Sequence, residues 1–202
     1  INGPVLEVTD RDYPICFDRK FFSLLRRLGD DGVRDVLYDE YLRPGIVVLL
    51  QRGAVDVAPH IGGLLDNLVV NAAFGAALKH VAASYKGAQS VKMSGGLAIF
   101  FFVPEAGGEV VPFAQAARRA LTAERIPCTI GIDSGDLLLF ELEDGTKDIA
   151  GSPVNMCSKM ATDCGKPGNI YVTSSSSAGL RLPKHERFKL DVSHVTIEGF
   201  VF

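Results

Sequence analysis

Residues able to do chemistry are concentrated in one stretch of this 202-residue sequence. Lys147-Asp148-Ile149-Ala150-Gly151-Ser152-Pro153-Val154-Asn155-Met156-Cys157-Ser158-Lys159-Met160 brings a carboxylate, a carboxamide and ammonium groups together. Asn155 and Lys159 stand four positions apart, which on a helix puts both side chains on one face. Elsewhere the reactive types are dispersed. Cys16, Cys128, Cys157 and Cys164 form no Cys-x-x-Cys element and no His-x-x-x-His element accompanies them, so no zinc site is written here. Reduced, mostly buried thiols are expected. His60, His80, His185 and His194 are scattered and are assigned packing or surface roles.

The chain is 47% apolar and 22% charged, with 21 Lys and Arg against 24 Asp and Glu. A chain of this length buries roughly 70% of the surface its unfolded form exposes, enough for one globular core without staples. Disordered, collagen-like and disulfide-framework classes are excluded. The mild acidity, with Lys and Arg spread along the chain, argues against nucleic acid or an anionic membrane surface as partner. The most apolar segment, Leu97 to Val103, stops at Pro104, far short of the ~20 residues that span a bilayer. The chain starts at Ile1 with no recognisable secretory leader, and it is read as a cytoplasmic fragment of a longer protein.

The elements that must position these residues follow from hydrophobic periodicity. Phe17 to Leu28 and Asp31 to Tyr41 read as two short helices, broken at Gly29 and closed by Pro44-Gly45. Residues 1–44 are thus a helical lead-in and residues 45–202 the main domain. Ile46 to Leu50 reads as a buried strand, and Ile61 to Tyr85 as an amphipathic helix with Leu64, Leu65, Leu68, Val69, Ala72, Ala73, Ala76, Ala77 and Val81 as its apolar set. Gln89 to Met93 and Leu97 to Val103 form a hairpin through Ser94-Gly95-Gly96. Val110 to Glu124 is a second long helix. Cys128 to Ile132 and Asp136 to Leu142 are strands separated at Ser134-Gly135. Pro153 to Thr162 is a short helix, and Ile170 to Thr173 and Val195 to Phe202 are strands. The order predicts an α+β fold: a ferredoxin-like βαββαβ core, with both long helices on one face of a mainly antiparallel sheet, and extra C-terminal β-α-β elements. Such a plan hosts many functions and decides none.

The Lys147 to Met160 stretch resembles the class III nucleotidyl cyclase signature Asp-x-x-Gly-x-x-Val-Asn-x-Ala-x-Arg-Met/Leu. Cys128-Thr129-Ile130-Gly131-Ile132-Asp133-Ser134-Gly135 is similar to the family's strand Arg-x-Gly-Ile-His-x-Gly. Lys166-Pro167-Gly168-Asn169-Ile170-Tyr171-Val172 is similar to its Lys-Pro-Gly-x-Ile-x-Val. Val91-Lys92-Met93-Ser94-Gly95-Gly96 takes the place of its hairpin Ile-Lys-x-Ile-Gly-Asp. The resemblance covers residues 45–202. It implies a domain that pairs head to tail with a second one. One partner supplies two metal-binding aspartates, and the other a purine-reading pair and a transition-state pair.

The resemblance puts the purine-reading pair at Lys92 and Asp148, which is the adenine type. An ammonium and a carboxylate match the acceptor N1 and the N6 amino donor of adenine. The transition-state pair falls on Asn155 and Lys159, where the family has Arg at the second position. Lysine keeps the charge and loses the planar bidentate fork. The resemblance puts the metal positions at Arg52, which follows the apolar run after Gln51, and at Gly96, last in the hairpin. A guanidinium repels divalent cations, which need oxygen ligands, and Asp56 alone does not replace two aspartates. Glu198-Gly199 stands where a Lys-Gly pair commonly approaches the triphosphate.

What this implies is an adenylyl-cyclase-type domain that binds no metal itself and is inactive alone, with Mg²⁺ or Mn²⁺ expected only from a partner cyclase domain and ATP as the expected ligand. The alternative is a non-catalytic module for dimerisation, nucleotide sensing or regulation.

Overall fold

The computed structural model describes residues 15–17, 26, 29, 31–32, 35, 42–54, 61–142, 145–163, 165–192 and 194–202. The described strands are β1 (Ile15–Phe17), β2 (Leu42–Arg52), β3 (Gln89–Ser94), β4 (Leu97–Phe102), β5 (Cys128–Leu142), β6 (Lys147–Ala150), β7 (Ile170–Thr173), β8 (Glu186–Val192) and β9 (Val195–Val201). They form one sheet in the order β3-β4-β2-β5-β7-β9-β8, with β1 and β6 both paired to β5 off that path. The α-helices are α1 (Ile61–Ala82), α2 (Gly107–Ala123), α3 (Ser152–Ser158) and α4 (Ser174–Ser177), with a 3-10 turn at Pro104–Ala106 and a π turn at Lys159–Asp163. Most pairings are antiparallel; β1 and β7 run parallel to β5. This is the α+β plan expected from the sequence.

Two apolar layers sandwich the sheet. Ile46, Val48 and Leu50 of β2 face α1 and α2, whose Phe74, Leu78, Val110, Phe113 and Leu121 fill that layer. Val47 and Leu49 face the other way, onto Cys157 and Met160. A strand covered on both faces must be apolar at every position, which is why the run from Ile46 to Leu50 does not alternate. Phe113 is the hub of the helical layer, edge-on to Phe100 at 4.8 Å and to Phe102 at 5.4 Å.

Several boundaries differ from expectation. The helical reading of residues 17–41 lies mostly outside the described residues; Arg26, Gly29, Asp31, Gly32 and Asp35 are helical, whereas Phe17 ends a strand. Pro44-Gly45 does not close a lead-in but lies inside β2. β4 pairs with β2 only from Ile46 onward, so Pro44 lies where β4 asks for no ladder donor, and Gly45 leaves room for the Phe101 ring. β5 runs unbroken through Ser134-Gly135, with β2 paired along it from Leu42 to Arg52. Strands β1, β6 and β8 are not among the elements expected from the sequence.

Helix α1 forms, but the face it buries is not the one its leucines suggested. Phe74, Leu78 and Val81 are buried, while Leu64, Leu65, Leu68 and Val69 are 59–67% exposed. The helix is apolar nearly all round, so periodicity could not choose a side. No helix among the described residues is long and apolar enough to cross a membrane.

Candidate functional site

Strand β6 folds back along the distal half of β5, with Asp148 opposite Phe140. Its far side reaches β3, where an irregularity in the β3–β4 ladder between Ser90 and Lys92 sets the position of Lys92. The two residues expected to read a purine therefore meet although 56 positions apart: Lys92 Nζ donates to Asp148 Oδ2 at 2.8 Å. Asp148 Oδ1 accepts the Ile149 N–H at 2.9 Å, which orients the carboxylate. The side chains are 41% and 26% exposed, so this ion pair is solvated enough to contribute at most about 1 kcal/mol. A ligand that competes for both groups opens it at little expense.

Helix α3 follows on the same face of the sheet. Cys157 is fully buried, and its Sγ–H donates to the Val47 carbonyl at 3.6 Å. Asn155 is exposed and Lys159 half-buried, opposite the buried side of the helix. The Lys159 N–H bonds back to the Asn155 carbonyl, so the helical spacing that puts both side chains on one face is intact. A π turn, Lys159–Asp163, begins at that point.

Gly131 of β5 allows α3 this close. A Cβ there would lie 2.6 Å from the Cys157 carbonyl oxygen, a backbone atom that cannot swing away. Gly131→Ala is expected to push α3 off the sheet and destabilise the domain by about 1–3 kcal/mol. Urea unfolding of the variant checks this, and an unchanged midpoint would contradict the packing.

Arg52 and Gly96, the residues expected at the family's metal positions, are adjacent: the Arg52 N–H donates to the Gly96 carbonyl at 2.7 Å. The space between them is filled by the arginine itself. Arg52 Nη2 donates to Asn67 Oδ1 of α1 at 2.7 Å and Nη1 to the Gly53 carbonyl at 3.3 Å. Its Nε is buried without a partner. A Cβ on Gly96 would sit 3.0 Å from both Cβ and Nε of Arg52. Positive φ falls on Gly95, at 58°, rather than on Gly96. Among the described residues no group of three or more His, Cys, Asp or Glu side chains is placed to hold a metal, and Asp56 lies outside them. A fixed guanidinium and a bare turn do not suit Mg²⁺ or Mn²⁺. Glu198 pairs with Lys189 at 3.3 Å.

Sequence reasoning missed Asn67, which holds the arginine, and a buried hydroxyl network around Asp133. Thr173 and Ser176 both donate to Asp133 Oδ1, at 2.5 and 2.7 Å. The available signal was Asp133 itself, a carboxylate standing where the cyclase strand motif has His.

The described thiols are free and buried. Burial pushes Cys128 from its ordinary 9.0 up to about 12, and burial together with the Asp133 charge raises Cys157 well above 9.0. Both are raised in the fold, so their contribution is complete below the unfolded pKa near 9 and is lost as pH rises toward the folded value. Stability is expected to be flat up to about pH 9 and then to fall by about 1.4 kcal/mol per pH unit for each thiol. Unfolding curves across that range, with iodoacetamide labelling of the folded protein below it, check this; rapid labelling at neutral pH would contradict the burial.

No family model and no curated protein matches the chain. Solved structures do. The catalytic core of a rhodopsin-guanylyl cyclase with converted specificity, in complex with ATPαS, superposes with a TM-score of 0.66 at 20% identity, over 80% of this chain and 96% of that one. The chain has the fold of class III cyclase catalytic domains. A dimeric guanylyl cyclase domain of the RhoGC fusion protein from Blastocladiella emersonii matches this cyclase fold with a TM-score of 0.63 at 18% identity, over 79% and 95% of the two chains. The adenylyl cyclase CyaB from P. aeruginosa matches with 0.59 at 12%, over 79% and 94%. The cyclase fold thus spans nearly the whole of each relative.

Proposed function

We propose that this chain is the nucleotide-reading half of an adenylyl-cyclase-type site, completed by a second cyclase domain that brings both metal aspartates. The observation that carries the reading is an asymmetry. Lys92 and Asp148 converge at 2.8 Å, while the metal positions are closed by Arg52. Lys92 offers a proton to adenine N1 and Asp148 accepts one from the N6 amino group; guanine presents the reverse polarity at those positions, which these groups do not match. Asn155 and Lys159, on the exposed side of α3, are assigned to the ribose and the phosphates. Lys159 supplies charge without a bidentate fork. With Arg52 and Gly96 in every copy, a two-fold pair of identical chains has no competent site.

The second reading, a non-catalytic regulatory module with the cyclase fold, is favoured by the ties of Arg52 to Asn67 and Gly53, a built contact rather than a simple loss. One assay separates the two. The chain alone, with Mg²⁺ or Mn²⁺, is expected to make no cyclic AMP or cyclic GMP. Mixed with a class III domain that carries both aspartates but lacks its own purine-reading pair, it is expected to make cyclic AMP, and Asn155→Ala is expected to abolish this. Turnover by the chain alone would overturn the proposal; silence of a formed mixed dimer would favour the regulatory module.

A further inference from the structure

A cavity of about 500 Å³ opens beside α3, between β5, β7 and β9. It is separate from the residues assigned above: Lys92, Asp148, Asn155, Lys159 and Arg52 do not line it. Its size falls within the range of small-molecule sites, about 300–1,000 Å³.

The lining has a consistent chemistry. Asp133 is 5% exposed and contributes to the wall. The Thr173 and Ser176 hydroxyls both donate to its Oδ1, and Ser134 donates to Ser176 Oγ through its hydroxyl at 2.8 Å and its N–H at 2.7 Å. This fixes the Ser176 proton on the carboxylate. Among the described residues no hydrogen bond is made to Oδ2. Asp136, which is exposed, adds a second carboxylate at the rim, and Ser175 adds a hydroxyl. Glu198 also borders the cavity, but Lys189 neutralises it. No Lys, Arg or His is among the described residues that line it, while Pro153 and Met156 give an apolar wall.

A carboxylate this buried needs compensation by a cation or by further donors. Hydroxyls serve one oxygen of Asp133, a residue that lines the cavity, and no cationic side chain among the described lining residues balances its charge. Two unneutralised carboxylates are too few for a dedicated divalent metal site, which takes six or more oxygen ligands, and among the described residues no group of three or more His, Cys, Asp or Glu side chains is placed to hold one. An anion would be repelled. We propose that the cavity binds a small organic cation with a primary ammonium group. Its three N–H donors match Asp133 Oδ2, Asp136 and the serine hydroxyls, and its methylene chain lies on Pro153 and Met156. Binding here is independent of the purine-reading proposal.

Met156 provides the reporter. In the full chain labelled at its methionine methyl groups, putrescine or agmatine is expected to shift the Met156 signal saturably below about 10 mM and to leave Met93 unmoved. Butane-1,4-diol and succinate, of similar length but neutral and anionic, are expected to do nothing. Loss of one charged hydrogen bond is worth about tenfold, so Asp133→Asn is expected to weaken the amine by at least that factor. Because Asp133 is buried, exposed Asp136→Lys is the safeguard: it should leave the fold intact and abolish binding by charge reversal. No Met156 shift with either amine, equal shifts with the diol, a shift with succinate, or unchanged amine affinity in Asp136→Lys would each overturn the proposal.

Discussion

Exchanging Arg52 and Gly96 together for aspartate is expected to raise metal-dependent cyclic AMP formation from nothing measurable to at least about 100-fold above background, because a two-metal site works as a unit. The single changes are expected to fail for different reasons. Gly96→Asp alone puts a Cβ 3.0 Å from Arg52 Cβ and Nε, so the new side chain and the guanidinium compete for one volume. Arg52→Asp alone removes the plug but supplies a single carboxylate, and it releases Asn67 from its 2.7 Å hydrogen bond. The double change removes the guanidinium and its Nε contact, leaves a 3.0 Å Cβ–Cβ approach for the turn to absorb, and supplies oxygen ligands. Gly96 has no positive φ to defend, so the backbone tolerates the substitution. Adding Lys159→Arg should raise activity by about a further tenfold through a bidentate phosphate contact. Thermal melts establish that each variant is folded. A folded double variant that stays inactive, alone and with a metal-competent partner, would contradict the assignment of these positions.

The second large effect concerns the base. Asp148→Ala is expected to lose about tenfold or more in ATP affinity and most of the preference over GTP, since it removes a charged acceptor and leaves Lys92 unpaired. Lys92→Glu with Asp148→Cys, which exchanges the positions of acceptor and donor toward the base, should reverse the preference. The Lys92–Asp148 contact is half-exposed, so neither change is expected to unfold the domain. Competition binding with ATP and GTP reads both outcomes. Equal ATP binding by Asp148→Ala would remove Asp148 from the site.

The sheet and the two long helices were legible because their signals are local. The β2 run, the Gly95-Gly96 turn and the α2 stripe each depend on residues close in sequence. Lys92 and Asp148 are singled out by the resemblance to the cyclase motifs, not by periodicity; the β3–β6 approach brings the two side chains together. What escaped depends on contacts distant in sequence. Strand β6 holds only four residues, Lys147–Ala150, half of them charged; Asp144-Gly145 just before it is a hairpin dipeptide, but no apolar run follows to mark the returning strand. β8 carries a readable alternation from Phe188 to Val192, but it is short, begins with two charged residues and has no fully buried position. The burial choice of α1 is made by what packs against it, since leucine and alanine occupy most sides of the helix. Asn67 reads as an ordinary helix residue until Arg52, fifteen positions earlier, is seen against it.

The most direct test of a retained purine half beside a closed metal half is calorimetric titration with ATP and with GTP, each in Mg²⁺ and in EDTA. Base contacts without a metal clamp predict that ATP binds weakly and equally well in both buffers, within a factor of about 3, and that GTP binds at least about tenfold more weakly. A preference for GTP, ATP binding that disappears in EDTA, or no ATP binding at all would contradict it.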